Sequence, residues 1–289
     1  MKLPAAVWWL GLVSFLNDAA SEMVLPLVPA LLTTTLGGSA AMLGLVEGSA
    51  SLVASVLKLA GGQLADRTGR HRALVVGGYT LSNLVRPLIG LVGSPLAVWW
   101  LRVGDRVGKG LRTAPRDALI AVATAPSQRA AAYSVHRGLD HAGTIAGALA
   151  AAWCLHTLHL DVGTIFLWSA VPGLLVILAA IRGTRGLDTG PGPVVVERPR
   201  AALSPDLRWL LVLVGLSRLG MASELFLLLF AGRFVPLWVV PLLWAGLHAV
   251  KTVASLGAAS ASRWVGPGAL VAAGWATHAV VFAGFGFAA

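Results

Sequence analysis

The chain has 289 residues, of which 57% are hydrophobic and 12% charged, and its mean hydropathy is +0.80. A soluble domain carries about a quarter of its residues as Asp, Glu, Lys or Arg, so this composition excludes a soluble protein and predicts an integral membrane one. The formal net charge of +10 would point to nucleic acid in a soluble chain, but here it follows membrane topology and no nucleic-acid partner is expected; one cysteine, Cys154, excludes an internal disulfide and a thiolate metal cluster.

About 20 apolar residues cross a bilayer, and the apolar pattern predicts an all-α, polytopic bundle of nine spans. They lie at about 5–33, 41–62, 73–93, 97–123, 130–154, 161–182, 207–230, 236–259 and 268–288. Lys2, the cluster at 67–72, Arg129, the segment 182–208 and Arg263 fall on alternate connections, whereas 34–40, 94–96 and 155–160 hold neither Lys nor Arg. Only Arg233 breaks that alternation. The bias places the N-terminus in the cytoplasm and the chain, multi-pass, in the cell (inner) membrane, with the lipid bilayer as its surroundings. Residues 1–20 resemble a signal peptide, but the apolar stretch resumes through Val24–Leu32, so a retained helix is expected. Trp8, Trp9, Trp99, Trp100, Trp209, Trp238 and Trp264 sit near predicted span ends, where an indole bridges headgroups and acyl chains.

The first span carries Asn17, Asp18, Ser21 and Glu22 inside an apolar stretch. Carboxylates there either titrate and couple protons to transport or permanently neutralise basic residues on the fourth span. The second span places Glu47, Ser51 and Lys58 on one face, and its Gly44 and Gly48 repeat at the spacing that lets membrane helices approach closely. Between the second and third spans, GGQLADRTGRHR at 61–72 is predicted as a tight cytoplasmic turn. In it Gly62, Asp66, Arg67, Gly69, Arg70 and Arg72 form a conformational switch: Gly69 supplies a backbone geometry that other residues disfavour, and Asp66 can pair with a basic group or a helix N-terminus.

The fourth span is the most informative. Arg102, Asp105, Arg106, Lys109, Arg112 and Arg116 fall within an arc of roughly 120°, with Gly104, Gly108 and Pro115 opposite. A central Arg, Lys or Asp costs about 2.5–3.5 kcal/mol on an insertion scale and a Leu returns only about 0.3–0.6, so this stripe must face a bundle interior or a water-filled cavity. Charge held there marks a substrate or ion pathway. GDRVGK resembles a phosphate-binding loop, but the glycine spacing is one residue short and Gly110 stands where Ser or Thr would hold magnesium. The fifth span holds His136, Arg137, Asp140 and His141 within little more than a turn, where a histidine is either a proton relay or a structural partner. Asp18, Glu22, Glu47 and Asp140 are expected to balance the stripe, which leaves the substrate's charge open. In the seventh span, Arg218 is a candidate anchor for an anionic group.

The segment 183–206, rich in Gly, Pro and Arg, reads as a cytoplasmic linker. Across it the chain resembles itself: ASE at 20–22 and 222–224, LADR at 64–67 and SASR at 260–263. Parallel repeats of this kind are a transporter architecture. Two halves offset by about 200 residues suggest a unit of roughly 400, so the chain is expected to be either a fragment or a shortened protein that completes its second half with a partner.

The chain resembles the major facilitator superfamily (MFS) of transporters. The 61–72 loop is similar to the signature between the second and third helices, Arg102 with Gly108 and Gly110 to that of the fourth, and Gly138, Gly143 and Gly147 to the glycine-rich signature of antiporters, although Thr144 stands where a proline is usual. The resemblance implies an MFS-type bundle: a complete six-helix half at 1–182, the linker 183–206 and an incomplete second half at 207–289. It also implies rigid halves rocking about a central site, hence secondary, proton-coupled transport of a small-molecule substrate, an organic anion or drug-like compound, with efflux favoured. A non-transporting membrane regulator or subunit is the alternative. A membrane-embedded enzyme finds no metal-ligand or serine–base arrangement, and neither a metal nor a cofactor is expected.

Overall fold

The computed structural model describes residues 3–187, 204–220 and 223–288, and leaves the side chains of 217–220, 255–263, 267, 285 and 288 out of that description. Among the described residues the regular structure is helical throughout. The elements are α1 (Ala5–Thr35), α2 (Ala40–Thr68), α3 (His71–Leu91), α4 (Pro95–Val122), α5 (Arg129–His156), α6 (Val162–Gly183), α7 (Pro205–Gly220), α8 (Leu225–Ala231), α9 (Val239–Val265) and α10 (Pro267–Ala288). Each predicted span meets a helix, and the seventh is met by two, α7 and α8.

Four helices, α1, α2, α3 and α6, are long and apolar enough to cross a membrane on their own composition. At 28 residues α4 measures about 42 Å, ample for a bilayer, and only its charges set it apart. Packing places most of those charges inside, with Lys109 left exposed. α4 lies between α2 and α3, α3 continues onto α6, and α6 and α5 flank α1. Short polar caps fix where the helices start: Ser39 accepts from the Met42 amide, Ser94 from that of Ala97 with Pro95 at the first helical position, and Asp161 from that of Thr164.

Two local features depart from the expected pattern. The sequence places 61–72 in a turn, but α2 continues to Thr68 because Gly62–Thr68 contains no residue that stops a helix. Gly62, Asp66 and Arg67 are therefore helical, and the reversal is made by Gly69, at φ 68°, and Arg70. The second departure is in α1, whose continuous α-helix runs only through Glu22, with a short α-helical stretch again at Val28–Ala30. Pro26 and Pro29 remove backbone donors there, and the chain passes through a 3₁₀ turn at Leu25–Leu27 and a π turn at Leu31–Thr35.

The chain forms two contact units, Met1–Ala245 and Gly246–Ala289. The apolar core of the first joins Val7, Leu10 and Val13 of α1 to Val75 and Tyr79 of α3, Leu119 and Ile120 of α4, and Val176 of α6. Within the second, α9 ends at Gly266, at φ 79°, and Pro267 opens α10.

Candidate functional site

The α4 stripe sits at the centre of a charged network shared by three helices. Arg102 donates from Nε and Nη2 to Glu47 Oε1 on α2, at 3.1 and 2.7 Å. Its Nη1 lies 3.4 Å from Asp105 Oδ2, and Arg86 of α3 donates from Nη2 to Asp105 Oδ1 at 3.1 Å. Asp105 thus joins two buried guanidinium groups, with Arg106 Nε at 4.0 Å as a third neighbour. Arg112 donates to Ser82 Oγ at 2.8 Å and its guanidinium lies 4.3 Å from the centre of the Tyr79 ring. Ser82 in turn donates to the Asp105 carbonyl, closing the seam between α3 and α4. A charge this deep is tolerable only when paired and fully hydrogen-bonded, and the network meets that need for Glu47, Arg102 and Asp105.

The stripe is nevertheless not neutralised. A small cavity, about 10 Å³ and so wide enough for one water, is lined by Asn17, Ser21, Glu22, Arg86, Arg102, Asp105, Arg106, Lys109 and Arg112. Five of these are cations and two are carboxylates. Lys109 is exposed, with no carboxylate at ion-pair distance among the described residues. Of the four acids expected to balance the stripe, only Glu47 contacts it directly. Asp18 accepts from Asn17 Nδ2 at 3.0 Å. Glu22 accepts from Ser21 Oγ at 3.1 Å and from the Trp244 indole at 2.8 Å. Asp140 takes Ser14 Oγ, His136 at 3.5 Å and Arg137 at 3.3 Å. Arg116 pairs with its own neighbour Asp117 at 2.9 Å. Arg137 is 64% exposed and joins the rest only through Asp140, and the side chain of Arg218 lies outside the described residues.

At the α2–α3 reversal, Asp66 Oδ1 lies 3.6 Å from His71 Nε2, across the turn made by Gly69 and Arg70. Arg67 and Arg70 are exposed, Arg72 is half-buried, and Gly62 faces Ala114 of α4. Sequence reasoning missed Arg86, Asn83 and Ser82 of α3. Asn83 is buried between Arg86 Nη1, at 3.0 Å, and Asn17 Oδ1, at 3.3 Å. An arginine in a third span that holds no other charge is the same kind of signal that marks α4. The small-residue faces are also redistributed. Gly108 meets α3 at Gly78, whereas nothing described lies within 4 Å of a side chain at Gly48 and only the Phe226 ring edge does at Gly44. α2 approaches α4 through Gly61 instead, against the Leu111 backbone.

A largely buried multi-cation stripe among packed apolar helices narrows the choice of fold family, and the family model described as Major Facilitator Superfamily matches residues 10–289. The chain belongs to the Major Facilitator Superfamily. An uncharacterised transporter of the superfamily from Methanocaldococcus jannaschii is 32% identical over 230 residues, covering 80% of this chain and 53% of the relative. Multidrug resistance protein MdtH of Aeromonas hydrophila is 31% identical over 199 residues, 66% of this chain and 49% of the relative. The chain therefore spans about half the length of these relatives. Among solved structures, a bacterial homolog of the human lysosomal transporter Spinster, inward-facing, superimposes with a TM-score of 0.68 at 19% identity, covering 94% of this chain and 68% of that one. The nucleoside transporter NupG gives 0.67 at 15% identity, over 90% and 69%. These likenesses carry the superfamily fold. Superfamily members are membrane transporters, which sets aside the reading as a membrane-embedded enzyme.

Proposed function

We propose that the protein is a proton-coupled secondary transporter that exports a small organic anion across the inner membrane, its N-terminus cytoplasmic, by rocking of the halves 1–182 and 207–289 joined by 183–206. The carrying observation is the cation excess around the polar cavity: Arg106, Lys109 and Arg112 line it with at most a 4.0 Å approach from a carboxylate. In low dielectric such groups attract an anion strongly, and guanidinium forks grip carboxylate or phosphate by two hydrogen bonds. Asp18, beside that cavity on α1 and held by Asn17 rather than by a cation, is the proposed proton site. The turn at 69–70, with Asp66, Arg67, Arg70 and Arg72 around it, is the proposed conformational latch. The direction of export is supported by the likeness to a multidrug resistance protein.

The test is transport in proteoliposomes with an entrapped pH dye, each member of an organic-anion library being added in turn. Wild-type protein should move protons with at least one anion, and Asp18→Asn should lower that proton movement about tenfold or more while anion binding persists. Full pH-gradient dependence in Asp18→Asn would exclude Asp18 as the coupling group, and an anion-independent wild type would exclude the transport reading itself.

A further inference from the structure

The first contact unit also holds a cavity of about 510 Å³, separate from the charged one. It lies where the irregular end of α1 meets α8 and the start of α9, at the end of the bundle opposite the 69–70 turn, and takes no residue of the stripe. Its volume falls in the range of about 300–1,000 Å³ that small-molecule sites occupy. Most of the wall is apolar, from Pro26, Pro29, Leu228, Leu229 and Val240. The polar side chains of the lining are Thr33, Thr34 and Thr35 of the π turn and Arg233.

That polar edge is unspent. The cavity lining holds no carboxylate, and Arg233, Thr34 and Thr35 are exposed, with no side-chain hydrogen bond or ion pair among the described residues that would have to be broken for them to take a ligand. Thr33 donates its hydroxyl proton to the Pro29 carbonyl at 2.9 Å, which orients the turn. Arg233 is also the one basic residue that breaks the charge alternation of the loops. A cation standing against the positive-inside bias, at the lip of an apolar cavity, asks for an anion.

The geometry points to a second binding site here, for a singly charged amphipathic anion: its carboxylate or phosphate head on Arg233 and the Thr34 and Thr35 hydroxyls, its apolar body among the prolines and leucines. The site does not depend on the central cavity or on what is transported. Two sources share this chemistry, a free amphipathic acid and an anionic lipid of the surrounding leaflet.

A diazirine-bearing ten-carbon carboxylic acid, photolysed on the protein in nanodiscs of neutral phosphatidylcholine, tests the inference by peptide mapping. Labelling should concentrate on the segments containing Thr33–Thr35 and Leu228–Arg233. It should fall about tenfold in Arg233→Gln, be largely kept in Arg233→Lys, and fall in Leu229→Trp, which fills the cavity and leaves the cation. Competition by decanoate alone would identify a free acid as the occupant, and competition by phosphatidylglycerol mixed into the nanodisc would identify the lipid. Equal labelling of wild type and Arg233→Gln, or label spread evenly over the lipid-facing helices, would overturn the site.

Discussion

Asp105→Ala is expected to destabilise the protein by about 3–5 kcal/mol, measured as equilibrium unfolding in mixed micelles. The substitution removes the one carboxylate that lies between Arg86 and Arg102 and near Arg106, all within the bundle. Arg102 keeps Glu47, but Arg86 keeps only the neutral Asn83 oxygen. An arginine does not escape by losing its proton, so the charge stays buried and uncompensated. Replacing both members, Asp105→Ala with Arg86→Met, should recover a large part of the loss, because a pair exchanged for apolar groups is far less costly than a pair cut in half. A single-variant loss under about 1 kcal/mol, or a double variant no better than the single, would show that water already screens this network.

Gly108→Val should cost about 3 kcal/mol or more and reduce the folded yield, whereas Gly104→Ala, four residues away on the same helix, should be neutral or stabilising by about 0.5–1 kcal/mol. A side chain at Gly108 would start 2.5 Å from the Gly78 carbonyl and 2.5 Å from Ser82 Oγ. Both are fixed, one as backbone and the other by its bonds to Asp105 and Arg112, so α3 and α4 must separate. At Gly104 the nearest atom is Val85 Cγ1 at 3.4 Å, an ordinary contact. Thermal unfolding of the two variants side by side reads the difference, and a Gly108→Val as stable as Gly104→Ala would mean that the α3–α4 crossing is looser than described.

The spans and the inward face of α4 were legible because both rest on one rule that acts along a single helix: charge avoids lipid, so hydropathy marks the helix and periodicity marks its face. Arg86 obeys the same rule but is the one charge within the predicted span 73–93 and so makes no stripe. Which acid meets which base was not legible. Glu47 reaches Arg102 only because α2 packs on α4, and Asp140 is taken by Ser14 and His136 because α5 packs on α1. Glycine spacing likewise showed that a close approach exists but not where. Gly61 lacks the four-residue repeat that marked Gly44 and Gly48, yet it is the one against the Leu111 backbone. The irregular end of α1 was signalled by Pro26 and Pro29, but the cavity it borders needs α8, which is almost 200 residues away in the sequence.

The stripe's orientation is the central claim, and scanning Arg102 to Arg112 one residue at a time with cysteine, in a Cys154→Ser background, tests it most directly. Each variant is exposed in membrane vesicles to a charged, membrane-impermeant thiosulfonate. Reaction should be periodic, strong at Arg106→Cys and Lys109→Cys and weak at Gly104→Cys and Val107→Cys, as expected for a membrane-crossing helix with one wet face. Uniform reaction along the whole stretch would place it in an aqueous hairpin, and no reaction at Lys109→Cys from either side of the membrane would leave the stripe without a water-filled path; either result contradicts the pathway.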